Sequence, residues 1–78
     1  MKKKTVFKQF KVTYREITLQ CGENTKRDVK SIYTMAPNER KAKQNARYRI
    51  GYPEREEYLP GDGAFLATYV VEPVGTRV

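Results

Sequence analysis

The chain has 78 residues, 38 % of them hydrophobic and 32 % charged, and sixteen Lys and Arg against nine Asp and Glu leave a net charge of +7. That length supports one domain with a small core, and six Tyr with three Phe argue against a disordered chain, which lacks bulky groups able to offset ordering entropy. One Cys and no His exclude an internal disulfide framework, a cysteine-based zinc site and a histidine general base.

Residues 1–4 read as a basic arm. Lys2, Lys3 and Lys4 resemble the start of a signal peptide, but Lys8, Gln9 and Lys11 interrupt any apolar run after them. A secreted or membrane-spanning chain is therefore not expected; the expected location is the cytoplasm, with Cys21 a reduced structural thiol. Residues 5–21 read as a first strand. Val6, Phe10, Val12 and Tyr14 fall on one face, with Lys8 among them, while Lys11, Thr13 and Arg15 fall on the other, the period-two signature of one buried and one basic face. Parity then flips, because Ile17, Leu19 and Cys21 continue the apolar series. An extra residue near Arg15–Glu16, forming a β-bulge, would keep one continuous buried face; a break into two strands is the alternative. Gly22 to Thr25 read as a polar turn. Residues 28–35 then form a second strand, antiparallel to the first, with Val29, Tyr33 and Met35 on one side and Ile32 on the other.

The spacing predicts a helix over 38–50. The Asn38 side chain suits an N-cap, Glu39 complements the positive end of the helix dipole, and Ala42, Ala46 and Ile50 make a narrow apolar stripe at four-residue spacing. Gly51 is placed to close the helix and Pro53 forbids its continuation; Pro37 could instead take the first helical position. Residues 52–63 read as an acidic loop ending in the turn signals Pro60, Gly61 and Gly63. Residues 64–72 form the last strand, and residues 73–78 a tail. That strand is apolar on both faces, with Phe65, Ala67, Tyr69 and Val71 on one and Leu66, Thr68 and Val70 on the other, which suits either a central position or a face that meets a partner. The order β-β-α-β predicts an α+β domain, one helix on one face of a three-stranded, mostly antiparallel sheet.

Charge is distributed unevenly along the chain. Residues 1–51 hold fourteen Lys and Arg against four acids, and residues 52–78 hold two against five. Such asymmetry suits a basic surface that attracts a polyanion. On the predicted helix, the face opposite the alanine stripe carries Arg40, Lys41, Gln44 and Tyr48, with Arg47 at its edge. Cations there would neutralise phosphate while the ring stacks on a base or packs on sugar; the plainer role is a solvated helix whose Tyr48 covers Lys and Arg stems. A second basic set comprises Lys8, Lys11 and Arg15 with the arm, joined by Lys26, Arg27 and Lys30. Glu54, Glu56, Glu57 and Asp62 lack EF-hand spacing and have no pocket to raise a carboxyl pKa, so they read as a solvated loop. There is no P-loop, dinucleotide fingerprint, nucleophile elbow or Cys–His pair, and Ser31 has no His to activate it. No catalysis, cofactor or metal is expected.

The run Val29-Lys30-Ser31-Ile32-Tyr33-Thr34-Met35-Ala36-Pro37-Asn38-Glu39-Arg40-Lys41-Ala42 passes from strand to capped helix with alanines four apart. In its layout it resembles small proteins of phages and mobile elements, certain anti-CRISPR proteins among them. The resemblance transfers no functional residue. It implies a compact inhibitor or adaptor that binds a protein or ribonucleoprotein machine, for which Tyr48, Tyr52 and Tyr58 would be the contact aromatics. The favoured expectation is a non-enzymatic protein that binds DNA or RNA largely without sequence preference, through Arg40, Lys41, Gln44, Arg47 and Tyr48 first and Lys8, Lys11 and Arg15 second. A homodimer through the last strand or the open sheet face is a third expectation.

Overall fold

A computed structural model describes residues 6–75 of the chain. The basic arm Lys2–Lys4 and the end of the tail lie outside the described residues. Five elements follow in order: β1 (Lys8–Gln20), β2 (Glu23–Ala36), α1 (Glu39–Ile50), β3 (Arg55–Leu59) and β4 (Gly63–Pro73). The strands form one antiparallel sheet in the order β2-β1-β4-β3. The domain is α+β with one helix, as the sequence predicts, but the sheet has four strands and not three. β3 arises within the stretch read as an acidic loop. Its ladder to β4 pairs Arg55 with Ala67 and Leu59 with Gly63, and it escapes detection because its side chains are exposed and mostly charged, as suits an edge strand protected from association.

The first hairpin is longer than the sequence suggests. Cys21 and Gly22, at φ +55° and +78°, make a two-residue turn between Gln20 and Glu23, the primed geometry that matches strand twist. The turn is thus two residues long, not Gly22–Thr25, and β2 begins at Glu23. Cys21 is exposed on it and not a structural core thiol. The register does shift beside Arg15, where Tyr14 faces Lys30 but Arg15 faces Asp28. The extra residue is Val29 on β2, however, because β1 pairs with β4 without interruption. This corrects the expected bulge in β1. It also places Val29 with Ile32 against the core, while Tyr33 and Met35 stay more than half exposed.

The core lies between α1 and the sheet. Phe10, Val12 and Tyr14 of β1, Ala36 of β2 and Ala67 and Tyr69 of β4 meet Ala42, Ala46 and Ile50 of the helix. The two fully buried alanines let the helix sit close on the strands. Its caps are as predicted. The Asn38 side chain accepts from the Lys41 amide at 2.9 Å, and Gly51, at φ +80°, donates its amide to the Arg47 carbonyl. Asn45 donates to the Thr34 hydroxyl at 3.2 Å and the Met35 carbonyl at 3.4 Å, and Arg49 to the Tyr33 carbonyl at 3.4 Å, tying the helix to β2.

β4 is central over Gly63–Ala67, with β1 on one side and β3 on the other; the helix covers one of its apolar faces, and Leu66 on the other stays exposed. The helix covers only one end of the long β1–β2 hairpin. The radius of gyration, 15.6 Å, exceeds the roughly 11–12 Å of a compact chain this size, and the principal extents are 57 × 21 × 20 Å. At the far end, a Cβ on Gly63 would sit 2.8 Å from the Leu19 carbonyl oxygen, so β4 begins where only glycine allows so close an approach.

Candidate nucleic-acid interface

The helix turns Arg40, Lys41, Gln44, Arg47 and Tyr48 outward, all exposed. Tyr48 is 89 % exposed, so its ring is free to stack and does not merely lie over neighbouring stems. Arg40, Lys41 and Arg47 form no ion pair among the described residues, whereas Lys43 is held by Glu54 at 3.1 Å. Arg47 and Arg49 in the last turn also complement the negative end of the helix dipole.

Where the helix ends, a cleft of about 450 Å³ opens, lined by Gln44, Arg47, Tyr48, Gly51, Tyr52 and Pro53. Three of the residues singled out from the sequence thus converge with the three that terminate the helix. The floor is held from beneath by two buried tyrosines of the sheet. The Tyr69 hydroxyl accepts from the Tyr52 amide at 3.1 Å and donates to the Tyr52 carbonyl at 2.6 Å, and the Tyr14 hydroxyl donates to the Pro53 carbonyl at 2.7 Å. The Tyr14 ring stands edge-on to Tyr52 and to Tyr69, with centroids 5.1 and 5.0 Å away, the arrangement that aromatic quadrupoles favour. Burial raises the Tyr69 phenol above its ordinary pKa of 10.0, so it remains a neutral donor at physiological pH. The cleft is therefore a braced site and not a gap between mobile loops.

Glu54 borders this region and ties three elements together. It accepts from Thr68 at 2.6 Å and pairs with Lys43, and these contacts, the Thr68 hydrogen bond foremost, lower its pKa below 4.5. This carboxylate engages Lys43 directly and attracts Arg47 at longer range, while Arg40 and Lys41 form no ion pair among the described residues.

The second basic set does not join the first. Lys11 and Arg15 project from the sheet face opposite the helix, as the alternation predicts, whereas Lys8 shares the helix-side face with Ala36, its partner across the ladder. Arg15 is bound to Asp28 at 2.6 Å, a contact that lowers the Asp28 pKa and raises that of Arg15, with Glu72 adding to the latter. Arg27 pairs more loosely with Glu16 at 3.4 Å. Among the described residues no group of three or more potential metal-ligating side chains converges, and no helix is long and apolar enough to cross a membrane.

The sequence singled out Gln44, Arg47 and Tyr48, and placed Tyr52 among exposed aromatics, but it did not show that these four share one cleft. Gly51 and Pro53 were legible only as helix stop signals. Tyr14 and Tyr69 were legible only as core aromatics, because nothing in a strand pattern reveals that their hydroxyls reach the chain leaving the helix. Searches against family models, curated proteins and solved structures give no significant match.

Proposed function

We propose that this chain is a non-enzymatic cytoplasmic protein that binds nucleic acid, largely without sequence preference, through the outer face of α1. Arg40, Lys41 and Arg47 neutralise backbone phosphates, while Tyr48 and the adjoining cleft take up a base or sugar. The observation that carries this reading is the convergence of Gln44, Arg47 and Tyr48 with Tyr52 around one braced cleft beside unpaired cations. Phosphate contacts supply affinity without reading sequence, and aromatic faces accept any base.

Titration of labelled single- and double-stranded DNA and RNA at two salt concentrations tests it. Three phosphate contacts give a slope of log affinity against log salt near −2 for single strands and near −3 for duplex. Lys41→Glu/Arg47→Glu, at exposed positions, abolishes that binding while the far-UV circular dichroism stays unchanged. Absence of binding to all four ligands at low salt refutes the proposal.

A second reading is an inhibitor or adaptor of a protein or ribonucleoprotein machine, as the resemblance to phage-encoded proteins implies. Two tyrosines, Tyr48 and Tyr58, exposed by 89 and 87 %, support it, since solvent-facing aromatics anchor protein interfaces. It requires a defined protein complex that Tyr48→Ala weakens, with little affinity for naked nucleic acid.

A further inference from the structure

We propose that the sheet face opposite the helix is the contact surface of a twofold dimer of this chain. The proposal is independent of the nucleic-acid reading, which rests on the other side of the molecule.

The ladder registers fix what this open face carries. Residues directly opposite across an antiparallel pair point the same way, so successive rows across the sheet can be read off. One row runs Lys26, Ile17, Leu66, Glu56; the next toward the hairpin tip runs Asn24, Leu19, Ala64, Tyr58. Toward the helix-covered end lie Thr13 beside Val70, and then Lys11 beside Glu72. The face thus has an apolar centre formed by Ile17, Leu19, Ala64, Leu66 and Val70. Leu19 and Leu66 are 44 and 38 % exposed, with no element of the described residues above them. Lys26 and Lys11, in no ion pair among the described residues, lie on the β2 and β1 side, and the acids Glu72 and Glu56 on the β4 and β3 side.

That separation of charge selects both the partner and the axis. A twofold axis parallel to the strands brings β2 of one copy over β3 of the other, and β1 over β4. Lys26 then meets Glu56 of the second copy, Lys11 meets its Glu72, and Ile17 packs on its Leu66. An axis across the strands would instead stack the basic column on itself. Asp28, the acid on the β2 side of the face, is already held by Arg15 of its own chain, and Glu54, which precedes the β3 ladder, is drawn to Lys43 of the helix. Sheets pack face to face at about −30°, so the Ile17–Leu66 row near the axis keeps its register best. From strand spacing and rise the face is roughly 27 Å long and about 14 Å wide, broadening to about 19 Å where β3 joins it. Its projected area, about 450 Å², is smaller than the ~800 Å² of accessible surface each partner gives to a standard complex, so the pairing of charges and not area carries the assignment. An isologous contact of this kind needs one self-complementary patch. It also leaves both helices facing outward.

Sedimentation analysis of the full chain from about 1 to about 200 µM tests the assignment. The expected species has twice the 9.1 kDa monomer mass. Leu66→Glu yields monomer with an unchanged circular dichroism spectrum. Lys26→Glu, at an exposed strand position, weakens the dimer about tenfold, since two symmetry-related contacts turn repulsive, and adding Glu56→Lys restores it to within about threefold. A wild-type monomer throughout the range, or a dimer indifferent to Leu66→Glu, overturns the proposal, and so does failure of the double charge swap to restore what Lys26→Glu removed. Salt-dependent nucleic-acid binding that persists in monomeric Leu66→Glu would leave the helix-face reading standing whichever way the dimer test falls.

Discussion

β1 passes through two environments within thirteen residues. Under the helix, Phe10, Val12 and Tyr14 are at most 5 % exposed and pack on Ala42, Ala46 and Ile50. Past the helix, Ile17 and Leu19 emerge on the opposite face, over which no element of the described residues lies. One strand, with the same alternation and the same ladder, is a core element at one end and a two-sided surface at the other. A period-two pattern therefore reports which side chains share a face, while burial depends on whether a second layer lies over that face. The flip of apolar parity after Arg15 marks that change of side. No bulge in β1 is needed to explain it.

The largest expected effect contrasts the two ends of that strand directly. Val12→Ala removes buried methyl groups from the helix-covered end, costs about 2 kcal/mol and lowers the melting midpoint by roughly 10 °C or more. Ile17→Ala, five residues on, costs less, about 1 kcal/mol, because its side chain is only partly buried and no cavity closed on all sides is left behind. Urea or thermal unfolding of the two variants at low protein concentration provides the comparison, and equal losses would show that the far half contributes to the core as much as the near half.

Next in size is Tyr69→Phe. The change leaves ring packing intact but removes the hydroxyl that bridges the Tyr52 amide and carbonyl, at a cost of about 1–2 kcal/mol for groups left partly buried without a partner. Because that hydroxyl braces the cleft, amide exchange at Tyr52 should speed up by more than the global stability loss requires. Exchange rising only in step with global unfolding would show that the cleft does not depend on the brace.

The smallest effect is a pH dependence from Glu54. Its folded-state pKa is depressed, so its contribution is fully present above the unfolded value of 4.5 and is lost as pH falls through the lower folded value. The pairing with Lys43 is partly solvated and contributes less than about 1 kcal/mol. Glu54→Gln should therefore flatten the acid limb of the stability profile, and above pH 6 it removes the Lys43 pairing and weakens the Thr68 hydrogen bond to a neutral one; an unaltered acid limb would assign the loss to other carboxylates.

The helix and its surface were the most legible parts of the chain. Asn38 caps it, Gly51 and Pro53 end it, and Ala42, Ala46 and Ile50 define its buried stripe, so the exposure of Arg40, Lys41, Gln44, Arg47 and Tyr48 follows from rotation alone. The cleft was not legible, since it depends on where Tyr14 and Tyr69 reach from strands that are distant in sequence. The pairing of the basic residues was equally hidden. Lys43 and Arg15 look like the other cations in the sequence, yet Glu54 and Asp28 engage them across elements.

The sequence alone determined what is local. A capped helix of one amphipathic period, a first strand with one apolar and one basic face, and a last strand apolar on both sides all follow from side chains interacting within a few residues. Tertiary structure decided the rest: the extra residue at Val29 and not in β1, the edge strand Arg55–Leu59, the order β2-β1-β4-β3, and the end of the sheet that the helix covers. The physical reason is that ladder hydrogen bonds use backbone groups every residue possesses. A charged segment such as Arg55-Glu56-Glu57 can therefore join a sheet without an apolar pattern, once its neighbour offers an edge.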